Sequence, residues 1–202
     1  MADVVRGPDG KRRCRWGDSD DRYRRYHDTE WGRPVLDEQA LYERLCLELL
    51  QSGLSWALIL RKRDGLREAF ARFDPEAVAD LDVERLLEDE RVIRNRAKLE
   101  AIVQNAHATV AMRDKTPLPQ LIWSFRRRNL RAPRNYGEMV SFTPESKELA
   151  KELKRRGFAF VGPTTVYSTM QAVGVVNDHL AGCFARAEVE ADRRSVTEDF
   201  PS

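Results

Sequence analysis

Cysteine and histidine are scarce in this chain, three of each among 202 residues. So few cysteines cannot build the disulfide framework of a small secreted domain, which leaves metal ligation or simple burial for them. Long apolar runs are also missing. None approaches the ~20 residues of a membrane-spanning helix, and the opening MADVVRGPDGKRRCRW lacks the apolar stretch of a secretory signal. A soluble, cytoplasmic protein without a membrane partner is expected. Nor is one charge in excess: 35 basic side chains face 33 acidic ones, for a net charge of +2, so overall charge alone does not point to nucleic acid. Repeats of fixed period and low-complexity blocks are absent. What is present is 42% hydrophobic residues, enough for the core of one globular unit.

Helix signals run through most of the chain and strand signals are almost missing, so the expected class is all-α. Asp37 is placed to cap a helix through EQALYERLCLELLQS, with Gly53 as its stop. Ser55 caps the next. Asp74-Pro75 pairs an N-cap with proline at the first helical position, Asp82 opens VERLLED, and NRAKLEAIVQNAHATVAM carries apolar residues at helical spacing. QLIWSF reads as helical, Ser146 starts KELAKELKRR with Gly157 as its stop, and Pro163 begins a helix through TTVYSTMQAVG. A single domain over 13–186 is expected between a flexible N-terminal extension, 1–12, and a disordered polar tail, 187–202.

The rare residues fall in pairs. Cys14 and His27 lie near one end, His179 and Cys183 near the other. Zinc takes four thiolate and imidazole ligands, commonly arriving as two close pairs, and the His179–Cys183 spacing suits one face of a helix end. Spacing alone leaves a second reading open, with the histidines buried in hydrogen bonds and the cysteines acting as small hydrophobes. Cys46 and His107, inside helical patterns, read as structural.

The segments CRW at 14–16, YHDTEWG at 26–32, LELLQSGLSW at 47–56, RNRAKLEAIVQNA at 94–106, RRGFAFVG at 155–162 and YSTMQAVGVVNDHLAGC at 167–183 stand out together. Their order and content resemble the DNA-3-methyladenine glycosylase I family, over nearly the whole chain. The resemblance implies an all-helical member of the helix-hairpin-helix DNA glycosylases. It implies a structural zinc on Cys14, His27, His179 and Cys183 that ties the two ends of the domain together.

It also implies the chemistry: a monomer that flips 3-methyladenine out of alkylated double-stranded DNA and hydrolyses its glycosidic bond, leaving an abasic site in base excision repair. Water would attack the sugar, without a lysine Schiff base. The purine is cationic, and electron-rich rings attract a cation by ~0.5–2 kcal/mol. Trp16, Tyr26 and Trp56 match the family's pocket residues, with Tyr23 and Trp31 in the same motif region. Glu48, a charge in the apolar stretch CLELLQSGLSW that needs a partner or a task, matches the base-recognising glutamate. Arg94, Arg96 and Lys98 fall on the DNA-gripping hairpin, where backbone N–H groups and basic side chains meet phosphates. RRRNLRAPR, 126–134, is a second basic stretch, either a DNA contact or a surface loop.

This chain departs from the family pattern at Arg91, where a hairpin glycine is usual, at Leu49 and Leu50 after the glutamate, and at Arg15 between Cys14 and Trp16. Those departures leave two rival readings: another alkylated purine as substrate, or a zinc-stabilised DNA-binding protein without catalysis. Asp178 is expected either to cap a helix or to orient His179.

Overall fold

A computed structural model describes residues 3–126 and 131–196. Within them the chain is mostly helical: α1 (Asp21–Thr29), α2 (Glu38–Gln51), α3 (Trp56–Ala69), α4 (Pro75–Ala79), α5 (Val83–Glu88), α6 (Arg96–Met112), α7 (Leu118–Ser124), α8 (Pro144–Arg155), α9 (Pro163–Ala172) and α10 (Ala185–Ser195). The stop and start signals work as read. Side chains of Asp37, Ser55, Asp74, Asp82 and Asn95 accept hydrogen bonds from the first turns of α2 to α6. Gly53 and Gly157 take the left-handed conformation that ends a helix. α8 begins earlier than expected: Thr143 is its cap, and Ser146 closes a capping box from the third helical position.

α2 is the centre of the core. Leu41, Tyr42, Leu45, Cys46, Leu47, Leu49 and Leu50 are all fully buried, so apolar residues surround the helix instead of forming one stripe. α6 and α9 pack on it, and the Tyr42 hydroxyl donates to the Ile102 carbonyl at 2.7 Å. Leu49 and Leu50 therefore pack behind the helix face that carries Glu48 and do not intrude on it. Cys46 is core, as expected, and His107 is an exposed position on α6.

Both ends of the described chain form secondary structure, in segments whose composition reads as a flexible extension and a polar tail. Residues Val4–Arg6 (β1) and Arg12–Cys14 (β2) form an antiparallel ribbon with Val4 opposite Cys14. Buried Arg13 fixes it, binding Asp9 and Asp28. The anchor is ionic, so no apolar pattern announces it. α10 buries Ala185 and Val189, and Arg193 donates to the Gly174 and Val175 carbonyls at 2.6 and 2.7 Å. An arginine aliphatic stem and fork docks this helix where a polar composition suggested none. Residues 197–202 of the expected tail lie outside the described residues.

Candidate functional site

The chemistry gathers where α1, the start of α3, α2 and α9 meet. α1, capped by Asp20 through Tyr23 N at 2.8 Å, places Tyr23 and Tyr26 one turn apart on one face. The short 3-10 turn Arg15–Asp18 delivers Trp16, and the helix start at Ser55 delivers Trp56. Together with Trp31, Glu48, Gln51, Met139, Ser168 and Gln171 these rings line a cleft of about 330 Å³. Ring centroids lie 4.9 Å apart for Trp16–Trp31, 5.1 Å for Tyr26–Trp56, 6.1 Å for Trp16–Tyr23 and 6.4 Å for Trp16–Tyr26. The structure thus brings all five aromatics named from the sequence, and Glu48, to one place. Gln51, Met139, Ser168 and Gln171 were not foreseen. None has a residue type or spacing that separates it from an ordinary helical position.

Glu48 is only 8% exposed, and among the described residues no protein group hydrogen-bonds its carboxyl. Burial pushes its pKa up to about 8, against a smaller opposing pull from the Arg44 charge. Two more polar atoms in the cleft are buried and without a hydrogen-bond partner, the Tyr26 hydroxyl and Trp56 Nε1. Buried polar groups are normally satisfied, so three such groups on one aromatic cleft mark a place where a hydrogen-bonding ligand belongs. Burial also raises the Tyr26 hydroxyl pKa, with the Glu48 charge adding to it, which keeps that hydroxyl a donor. A larger cavity of about 620 Å³ lies beyond Met139, lined largely by apolar residues. It lacks the cage of five rings, so the smaller cleft is the functional candidate.

Directly behind the rings sit Cys14, His27, His179 and Cys183, all buried, with their donor atoms within 4.8 Å of one another. Cys183 Sγ is 3.5 Å from both His27 Nε2 and His179 Nδ1. The outer nitrogens are occupied. His27 Nδ1 meets Asp28 Oδ1 at 2.8 Å and His179 Nε2 meets the Trp31 carbonyl at 3.1 Å. Each imidazole is thereby left with its lone pair turned inward, the arrangement that metal-ligating histidines use. Asp28 is held in turn by buried Arg13. Burial raises the Asp28 pKa, and the hydrogen bonds from Arg13 and His27 outweigh it and keep the carboxyl low. A thiolate is favoured too: the hydrogen bond from Cys14 holds the Cys183 thiol far below its ordinary range. Donor set, spacing and outer partners fit a tetrahedral zinc.

The His179–Cys183 segment is a loop, not the expected helix end; a tight turn from Leu180 to Cys183, closed by a 2.8 Å backbone bond, brings the two side chains together. Asp178 neither caps a helix nor touches His179. It accepts hydrogen bonds from Tyr167 and Gln171. Arg15 turns away from the cluster to Asp3.

The basic residues of the α5–α6 hairpin divide. Arg94 is exposed on the turn, and Arg96 is exposed with Glu84 as its partner. Lys98 corrects the expectation of a surface cation. It is buried, its Nζ donating to the Leu50 carbonyl at 2.8 Å and to the Ser52 carbonyl, so it satisfies the end of α2. At Arg91 the turn forms without a left-handed residue, since Asp89 Oδ1 accepts from Arg91 N at 2.8 Å. Residues 127–130 of the second basic stretch lie outside the described residues; Arg134 is paired with Glu138.

A cage of rings closed by one ionisable carboxyl and two unpartnered donors defines a helical protein built to hold a flat, electron-poor, hydrogen-bonding ring. Comparison narrows the class. A family model described as methyladenine glycosylase matches residues 16–186. The chain is 45% identical over 177 residues to DNA-3-methyladenine glycosylase 1 of Escherichia coli (strain K12), covering 85% of this chain and 95% of that one. It is similar to a crystal structure of a 3-methyladenine DNA glycosylase I at TM-score 0.83 and 44% identity, covering 86% and 99% of the two chains. It is also similar to a tyrosine-to-phenylalanine variant of such an enzyme in complex with 3-methyladenine, at TM-score 0.81 and 33% identity, covering 86% and 97%. The chain belongs to the methyladenine glycosylase family.

Proposed function

We propose that this chain is a DNA glycosylase that excises 3-methyladenine from alkylated double-stranded DNA by hydrolysing the N-glycosidic bond, leaving an abasic site. The observation that carries the reading is the convergence of Trp16, Tyr26, Glu48 and Trp56 on one cleft with its polar atoms unsatisfied. A methylated adenine still attached to its sugar is a cation, and its departure neutralises it. The residues therefore have to select the base and hold it as the bond breaks. Ring faces draw the cation in. Glu48 ionises opposite it, accepts from its amine and stabilises its charge through bond breaking. Tyr26 and Trp56 supply donors. Water attacks the sugar carbon, which fits a cleft lining without lysine.

Cys14 Sγ, His27 Nε2, His179 Nδ1 and Cys183 Sγ would hold zinc. With four protein ligands and no open position the ion would be structural, joining the β1–β2 ribbon to the C-terminal loop. The cluster also braces the cleft: the Trp16 ring lies 5.1 Å from His27 and the Trp31 ring 4.7 Å from His179. The hairpin of α5, its turn and α6 supplies a phosphate grip of the helix-hairpin-helix kind, with Arg94 and Arg96 as its surface cations. Among the described residues no helix is long and apolar enough to cross a membrane.

The test is base release from methylated double-stranded DNA, followed by chromatography. Free 3-methyladenine is expected, with loss of roughly tenfold or more of the rate in Glu48→Gln. Release of only another base, or DNA binding with no release, would overturn the reading.

A further inference from the structure

Gln171 reaches the cleft from α9. Its Nε2 donates to Asp178 Oδ2 at 2.6 Å, and the Tyr167 hydroxyl donates to the same oxygen at 2.7 Å. An ionised carboxylate accepts hydrogen bonds and cannot donate them. The amide nitrogen of Gln171 must therefore face Asp178, which leaves its oxygen as the atom available to a ligand. Among the described residues no protein donor meets that oxygen. Asp178 itself lines the neighbouring cavity and not the cleft, so any influence it has on a ligand passes through Gln171.

The cleft consequently offers acceptors from two walls, the Glu48 carboxylate from α2 and the Gln171 amide oxygen from α9. A 6-amino purine turns two N–H hydrogens toward such walls, whereas a 6-oxo purine turns an oxygen that would face another oxygen. Sites built to hydrogen-bond a group reject the analogue that leaves their polar atoms unpaired far better than sites that discriminate by size. We propose that Asp178 is a positioning residue that locks Gln171 as an acceptor, so that Gln171 and Glu48 together select an alkylated amino purine over its oxo counterpart. This rests on the glycosylase reading and deepens it.

The test uses the full chain and methylated DNA containing both 3-methyladenine and 3-methylguanine, and reads the ratio of their release rates. Gln171→Met removes the acceptor, and Asp178→Ala frees the amide to turn its nitrogen to the cleft. Each is expected to lower the adenine-to-guanine ratio about tenfold. The double variant should show no further drop, because both changes act through one amide. A merely structural role for Asp178 would reduce both rates in proportion, and a ratio unchanged in either folded variant overturns the proposal. So does a double variant whose effects add. If Asp178→Ala does not fold, the ratio in Gln171→Met decides. Wild-type protein that releases neither base overturns the glycosylase reading and this one with it; release of 3-methyladenine with an unaltered ratio overturns only this one.

Discussion

Glu43 and Glu48 stand on the same helix, equally withdrawn from water at 8% exposure, and only Glu43 has arginines to meet it. Arg63 and Arg67 hold Glu43 at 2.8 and 2.9 Å. Glu48 has the aromatic cleft in place of a partner. A buried charge is paired or costs stability, so α2 carries one acid that serves the fold and one that is withheld for a ligand.

That withheld acid gives the protein a pH-dependent stability. Glutamate titrates near 4.5 in the unfolded chain and Glu48 near 8 in the folded one. The folded state keeps the proton through this window while the unfolded state loses it. The stabilising contribution is therefore complete below about pH 4.5 and is lost as pH rises to about 8. Glu48→Gln stays neutral throughout, so it should melt above the parent at about pH 8.5, by on the order of 2–4 kcal/mol. Calorimetry should show the difference shrinking toward about pH 5.

Ligand affinity should run the opposite way. A permanently cationic probe, a 3,9-dialkylated adenine, favours ionised Glu48. Its affinity should rise with pH and level off above about 8, by up to about tenfold per unit below that point. Fluorescence titration of the cleft tryptophans measures it, and Glu48→Gln should flatten the profile.

Metal analysis of natively purified protein should find one zinc per chain. Chelation, or Cys183→Ser, should lower the melting temperature and expose the β1–β2 ribbon to proteolysis, with a loss of several kcal/mol.

Gly17 has a steric task. A Cβ there would lie 2.4 Å from the His27 ring. Gly17→Ala should displace that imidazole and lower zinc content and base release together, although the residue itself carries no donor.

Lys98 and Arg94 should separate in DNA binding. Lys98→Met deletes a buried cap on α2 and should cost about 1–3 kcal/mol of stability while leaving the salt dependence of binding unchanged. Arg94→Ala should leave stability alone and reduce the slope of log affinity against log salt by about one.

How much of this was legible in the sequence depended on whether a residue acts locally. The caps Asp37, Ser55, Asp74 and Asp82 act on backbone within three positions, and each appears where its residue type predicts. The cleft aromatics and the four metal-site donors were legible as a set through motifs in order, and the folded chain gathers them. Elements fixed by charge or by distant carbonyls were not. The ribbon depends on Arg13 reaching Asp28, and α10 depends on Arg193 reaching Gly174 and Val175. No periodicity records such partners. Lys98 was misread for the same reason: a lysine among basic neighbours reads as surface until the carbonyls at 50 and 52 are seen above it. Asp178 was misread because its partners, Tyr167 and Gln171, lie on the preceding helix.

Cys14 and Cys183 belong to one cluster although almost the whole chain lies between them. A nascent polypeptide emerging from the ribosome displays Cys14 and His27, and Trp16 beside them, long before His179 and Cys183 are made. With zinc closing the cluster, the brace behind Trp16 would be complete only after translation has passed Cys183, and a truncated product would carry most of the aromatic residues on an unbraced wall.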